Sequence, residues 1–337
     1  MNHPYPRNTY YSNTTARDSA TVHLGDVYNI VNADAKELRI LRWLSPLALS
    51  NKHNRAWHQY EQGTLQGFFD NHVYKEWRVR AAGNAGPNLW CHGEMGTGKT
   101  TLAARVWGDL DALHPCGTVA ILYCDQAERD SQTAESLLGS ILIQLYQRLD
   151  QVLLIPDGVK KQFEKQWLYR RRPSLQEIRG WLVERLKDRR PVFLVIDAVD
   201  NLHDMARHRL LQTLQGLQSA GLNILATSRN RQPAEFGHEI VIKASEEDLR
   251  TVIRSRLSKA KLAEGDPLVA RQFASMEDKI SSNLIDSAKQ RCVGSRKQWY
   301  YILTSAASFS QHFFSTRSSF APGLKMSFTL SKSCHQK

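Results

Sequence analysis

A chain of 337 residues with 42% hydrophobic and 23% charged side chains has ample material for a core, in one large domain or two smaller ones. Its five cysteines, at 91, 116, 124, 292 and 334, are odd in number and lack metal-ligand spacing, which excludes a disulfide-built or zinc-built scaffold. The net charge of +12 is concentrated at one end: Ser287 to Lys337 holds eight Lys or Arg and no Asp or Glu, leaving 37 basic against 33 acidic side chains elsewhere.

A basic tail without a recognisable reading motif does not make a nucleic-acid partner expected. No apolar leader opens the chain, and no apolar run approaches the ~20 residues that span a bilayer. A soluble, cytoplasmic protein with no membrane partner is therefore expected.

Residues 1–42 read as a mostly disordered extension, polar and rich in Asn, Ser and Thr at its start. Within it, 21–30 (TVHLGDVYNI) is a short β-prone patch that reads as a strand or a linker segment. Lys36 to Leu49 carries Leu, Ile and Trp at helical spacing up to Pro46. A polar linker follows, and then Trp57 to Trp77, dense in aromatic residues and interrupted by Gly63 and Gly67. The stretch 43–86 is thus an aromatic-rich helical lead-in. Its aromatic side chains are expected in the core, with a nucleotide base as the alternative occupant of their faces.

Asn88 to His92 is a short apolar run suited to a strand, and Thr101 to Leu110 suits a helix. Between them Gly93-Glu94-Met95-Gly96-Thr97-Gly98-Lys99-Thr100 fits G-x-x-x-x-G-K-[ST] at every fixed position. The glycines let successive N–H groups turn inward at a helix N-terminus, which makes a nest for phosphate oxygens. Lys99 is placed to reach the terminal phosphates and Thr100 to hold Mg²⁺. The nucleotide-binding set is Gly93 to Thr100 together with Thr101.

Val119 to Cys124 reads as a buried strand, with Cys91 and Cys124 as buried free thiols. Leu137, Leu138, Ile141, Leu145 and Leu149 share one helical face. Arg170-Arg171-Arg172 reads as a solvated run, with contact to a partner subunit as the alternative. Ser174 and Glu177 form a capping box that opens another helix, with Ile178, Trp181, Leu182 and Leu186 inward. Pro191 to Asp197 is an apolar strand ending in a carboxylate, at the sheet edge where ligands of open α/β folds bind. Asp197 is there a candidate ligand for the Mg²⁺ that Thr100 also contacts. Leu210, Leu211, Leu214 and Leu217 mark a helix that Gly221 ends. Leu222 to Ala226 is a further strand, closed by Thr227-Ser228-Arg229, a polar cluster suited to sensing a terminal phosphate. Ile240 to Ile242 adds one strand.

This alternation predicts an α/β fold over 87–245: a P-loop NTPase with a parallel sheet covered by helices on both faces. Residues 246–292 read as an incomplete helical continuation opened by Ser245-Glu246-Glu247-Asp248. Residues 293–337 form a basic tail, rich in serine and aromatic residues and expected to be disordered.

From about Trp43 to about Ala288 the chain resembles the NACHT-type NTPase region of fungal NOD-like receptors, within the STAND class of signalling ATPases. The residues that carry the resemblance are Leu89 to Gly93, Leu122 to Asp125, Gln132 to Leu138, Val195 to Asp200 and Ala226 to Arg229. Gln62-Gly63-Thr64 with Phe69 and Trp77 resembles the aromatic lead-in of the same proteins. The patch at 21–30 loosely resembles the cores of amyloid-type signalling motifs.

The resemblance implies a cytoplasmic, nucleotide-dependent switch in innate-immune or incompatibility signalling, holding ADP at rest and ATP when active. It implies homo-oligomerisation on activation and an effector protein engaged through the N-terminal region. The cofactors would be ATP or ADP with Mg²⁺, GTP being the open alternative, and hydrolysis would be slow. Arg229 would read the γ-phosphate and Asp200 would be the remaining catalytic carboxylate. The family's Asp-small-x-Asp-Glu pattern ends here in Asn201, an amide that cannot take a proton from water. No 33-, 34- or 40-residue self-similarity marks a repeat sensor, which suggests a truncated relative of such receptors. The alternatives are a nucleotide-binding scaffold without turnover and a P-loop small-molecule kinase.

Overall fold

The computed structural model describes residues 35–47, 50–80, 86–114, 118–146, 153–187, 190–231, 236–252 and 254–255. The β-prone patch at 21–30, Leu149 and the tail at 293–337 lie outside these residues. Apart from residues 254–255, the described residues all belong to one compact unit.

Five strands, β1 (Asn88–His92), β2 (Val119–Tyr123), β3 (Val192–Asp197), β4 (Leu222–Ser228) and β5 (Gly237–Val241), make one sheet in the order β2-β3-β4-β1-β5. Every neighbouring pair is parallel. The sequence dictates this: β2 and β3 are continuous apolar runs, the composition of strands buried on both faces. Along β3, Phe193 and Val195 enter one core while Leu194 and Ile196 enter the other.

On the first face, α5 (Lys99–Leu113) lays Leu102, Ala103, Val106 and Leu110 on the sheet, joined by α2 (Ser50–His58), α3 (Gln66–Phe69) and α4 (His72–Arg78). On the second face lie α1 (Ala35–Leu44), α6 (Ala134–Tyr146), α7 (Asp157–Trp167), α8 (Leu175–Leu186) and α9 (Asp204–Gln218). Leu137, Leu138, Ile141 and Leu145 of α6 are fully buried, and so are Leu210, Leu214 and Leu217 of α9. Each such side chain contributes about 1.5–3 kcal/mol relative to exposure. The capping box forms: Ser174 Oγ accepts from Glu177 N, and Glu177 Oε2 accepts from Ser174 N at 2.7 Å. No helix among the described residues is long and apolar enough to cross a membrane.

The outer edge of β2 is closed by side-chain amides. Gln144 accepts from Ile121 N at 2.6 Å and donates to Ile121 O at 2.9 Å, as a neighbouring strand would. Gln132 does the same with Asp125 N and Tyr123 O. These two glutamines satisfy backbone groups that would otherwise be buried without partners.

Several elements differ from expectation. The stretch taken as a polar linker before Trp57 is helix α2, which packs Ala56 and the His53 and Trp57 rings toward α5. Its single apolar position before Trp57 left no period to detect. Helix α7 was not foreseen, because only Val159 and Phe163, one turn apart, face inward. α1 crosses the expected boundary at residue 42 and buries Ile40, Leu41, Trp43 and Leu44. α5 begins two residues earlier than expected and β4 runs on to Ser228. The dense aromatics of the lead-in are core: Tyr74 and Trp77 are fully buried, while Trp57, Tyr60 and Phe69 surround the Arg105 guanidinium of α5.

Candidate nucleotide-binding site

β1 delivers the chain to the Gly93–Thr100 loop at the carboxyl edge of the sheet, and α5 begins at Lys99. The loop is tied at its base, where Gly93 N donates to Ser228 O at 3.2 Å. A Cβ on Gly93 would lie 2.3 Å from Ile242 O and 3.0 Å from Thr97 Oγ1, so only glycine fits between β1 and the chain after β5. Gly98 caps α5 at φ 88°, a left-handed conformation open to glycine. The first turn of α5 holds no acidic side chain, so its N-terminal N–H groups and dipole favour an anion.

Lys99 Nζ donates to Gly93 O at 2.6 Å and Glu94 O at 2.7 Å, which fixes the ammonium against the loop. Burial lowers its pKa, opposed by the charges of Asp197 and Asp200. Glu94, Met95 and Gly96 form the exposed rim, and Thr97 donates to Glu94 O at 2.9 Å through its hydroxyl. Thr101 follows in the first turn of α5, partly buried.

Asp197 ends β3, one strand removed from β1, because β4 lies between them. It is almost wholly buried and accepts from Thr227 Oγ1 at 2.7 Å. Burial raises its pKa, and hydrogen bonds from Thr227 and Thr100 with the charge of Lys99 oppose that rise. The same Thr227 oxygen accepts from Ala198 N at 2.9 Å. Ala198 has φ 54°, a left-handed turn tolerated because its side chain is small. A buried carboxylate beside the Thr100 hydroxyl and within the field of Lys99 fits Mg²⁺, which takes one or two carboxylates and completes its shell with phosphates and water.

Asp200 and Asn201 follow in a short 3₁₀ turn, Val199–Asn201. The Asp200 side chain, only 5% exposed, accepts from the Arg229 backbone N–H at 3.1 Å and from its guanidinium Nε. Arg229 Nη2 also donates to Asn201 Oδ1 at 3.0 Å, and Asn201 Nδ2 donates to Cys124 O at 3.1 Å. Both polar ends of Asn201 are therefore engaged.

The structure thus brings Gly93, Lys99, Thr100, Asp197, Asp200 and Arg229 to one sheet edge. It joins Asp200 to Arg229, which sequence reading had treated as separate groups. Thr227, expected beside Arg229 as part of a phosphate sensor, instead holds Asp197. The signal for that was its place at the end of a strand neighbouring β3. Cys91 and Cys124 are buried free thiols, pushed upward in pKa by burial, outside any chemistry.

A glycine-rich loop between a parallel strand and helix, with an aspartate at the tip of a second strand, decides the architecture. The fold is that of a P-loop NTPase. The family model described as Nephrocystin 3, N-terminal, matches residues 63–229, just under half of the chain, from Gly63 of the lead-in to Arg229. Solved structures similar to this chain include a DNA replication initiation factor, 14% identical, covering 75% of this chain and 66% of that one at TM-score 0.42. AMPPCP-bound DnaA from Aquifex aeolicus is 14% identical, with 56% and 49% covered at TM-score 0.31. The Aeropyrum pernix ORC1 protein in complex with DNA is 19% identical, with 65% and 59% covered at TM-score 0.37. The chain spans less than two thirds of the length of each of these three. Comparison with curated proteins gave no match.

Proposed function

We propose that this P-loop NTPase is a nucleotide-dependent signalling switch that binds ATP and ADP with Mg²⁺, hydrolyses ATP slowly and couples nucleotide state to self-association. The observation that carries the reading is that Lys99, Thr100, Asp197, Asp200 and Arg229 interact with one another at one sheet edge beside the glycine-rich loop. Lys99 and the loop N–H groups bind phosphate, while Thr100 and Asp197 hold the metal, which supplies charge neutralisation when bound.

Arg229 and Asp200 restrain one another. While the guanidinium holds Asp200, the carboxylate is occupied and the arginine is withheld from a terminal phosphate. Attraction of Arg229 to a γ-phosphate frees the carboxylate in the same motion. One movement therefore supplies both a base and a charge-stabilising cation, and a diphosphate gives Arg229 nothing to move toward. That difference between ATP and ADP is what a switch needs. The NOD-like assignment, with an effector at the N-terminal region, rests on the sequence resemblance.

A scaffold without turnover is the second reading. It is favoured by Asn201, whose amide is spent on Cys124 O and Arg229 rather than on water. Sedimentation velocity of the full chain in Mg²⁺–ATP and Mg²⁺–ADP tests the switch. A larger species in ATP, lost in Arg229→Gln, supports it, and identical profiles in the two nucleotides overturn it.

A further inference from the structure

Helix α7 ends in a turn that displays three apolar side chains in a row. Trp167, Leu168 and Tyr169 are 45%, 81% and 76% exposed, a run matched nowhere else among the described residues. The turn is built, not frayed. Gln166 O accepts from Tyr169 N and Arg171 N, both at 3.1 Å, and Trp167 O accepts from Arg170 N at 3.0 Å. That is a Schellman closure with Arg170, at φ 51°, in the left-handed position glycine usually takes. Trp43 Nε1 of α1 donates to Arg171 O at 2.8 Å and pins the turn from behind.

The surroundings are strongly basic. α1 lies against α7 through Trp43 on Phe163, 5.5 Å between ring centres. Residues 35–44 and 157–172 together hold nine Lys or Arg against three Asp or Glu. One of those acids, Glu164, is paired with Lys36 at 2.6 Å.

We propose that the 167–172 turn docks this chain on an anionic lipid bilayer surface. Leu168 enters the acyl boundary, Trp167 and Tyr169 sit at headgroup depth where such rings favour the interface, and the basic residues meet anionic headgroups. This is peripheral contact, compatible with the absence of a spanning helix among the described residues and contrary to the expectation of no membrane partner. Charge disfavours two alternative covers from this chain. Its own tail at 287–337 is basic without an acid, and a second copy through the same patch repels itself. Single-stranded nucleic acid shares the charge complementarity but stacks on aromatic faces and gains nothing from Leu168, the most exposed of the three.

Vesicle co-sedimentation of the full chain tests this, with phosphatidylcholine alone and with phosphatidylcholine containing phosphatidylserine. Two variants preserve the fold. Leu168→Ser alters a side chain already in solvent, and Arg170→Gly removes one charge while relieving a left-handed arginine. The tail stays the same throughout, so its own attraction to anionic vesicles cancels in the comparison. Binding to the serine-containing vesicles only is expected, weakened about tenfold by Leu168→Ser and about fivefold by Arg170→Gly. Wild-type partitioning by Leu168→Ser overturns the proposal. So does tighter binding to oligothymidine that Tyr169→Ala abolishes and Leu168→Ser leaves unchanged, since nucleic acid would then be the partner.

Discussion

Thr227→Val isolates the support beneath the metal-binding carboxylate. Thr227 is fully buried, so valine replaces it with nearly equal volume and removes only the hydroxyl. Two bonds are lost: the donor to Asp197 Oδ1 at 2.7 Å and the acceptor for Ala198 N at 2.9 Å. A hydrogen bond to a charged group is worth about 1.5–3 kcal/mol, and an orphaned amide costs about 1–3 kcal/mol when buried. Ala198 is only partly buried, which places the total loss at about 2–4 kcal/mol.

The loss depends on pH, and its sign follows from Asp197. Burial holds the folded pKa of this carboxyl above its ordinary value, so the folded chain binds the proton more tightly than the unfolded chain. The contribution of such a group to stability falls as pH rises from the unfolded pKa, near about 3.9, through the folded one. Removing the Thr227 hydroxyl lifts the folded pKa further, because one of the bonds that oppose the rise is gone. The deficit of the variant is therefore larger at pH 8 than at pH 5. Urea unfolding of the chain without nucleotide, followed through buried Trp77 and Trp90, measures it at both values. Thr227→Ser keeps the hydroxyl and should lose only about 1 kcal/mol for its missing methyl. A deficit under about 0.5 kcal/mol, or one larger at pH 5, would refute the assigned role of Thr227.

Gly93→Ala should lower nucleotide affinity at least about tenfold and reduce the melting temperature. The added Cβ meets the Ile242 carbonyl at 2.3 Å and forces the loop away from β1, so a variant with wild-type affinity and melting temperature contradicts that packing. Asn201→Glu should speed single-turnover ATP hydrolysis about tenfold. A carboxylate at 201 supplies the base that the amide lacks, and equal rates would show that Asp200 already does that work or that position 201 lies outside the site.

The fold was legible where one physical constraint governs a run of residues. β1, β2 and β3 are apolar runs of strand length, and α6 and α9 carry full leucine stripes, so each was found with ends shifted by at most a few residues. The phosphate loop was legible because glycines, a lysine and a hydroxyl at fixed spacing answer one chemical need. What stayed hidden depends on contacts between distant residues. Gln132 and Gln144 look like surface residues until β2 proves to be an edge strand with unpaired backbone. The bond from Thr227 to Asp197 appears only when β4 pairs with β3. Asp200 and Arg229 sit 29 positions apart, and nothing local indicates that they form an ion pair. α2 and α7 hide for the opposite reason: their buried faces are too narrow to set a period.

Isothermal titration of the purified chain with Mg²⁺–ADP and Mg²⁺–ATP, repeated with Lys99→Ala, is the most direct test of nucleotide binding at the Gly93–Thr100 loop. One site per chain is expected in the wild type. The Lys99→Ala variant should bind at least about thirtyfold more weakly, which is the loss of charge-assisted bonds worth about 2 kcal/mol. Its circular dichroism should stay unchanged, since Lys99 contributes to the loop and not to either core. Equal affinity in the two proteins, or no binding by the wild type with Mg²⁺ present, would contradict it.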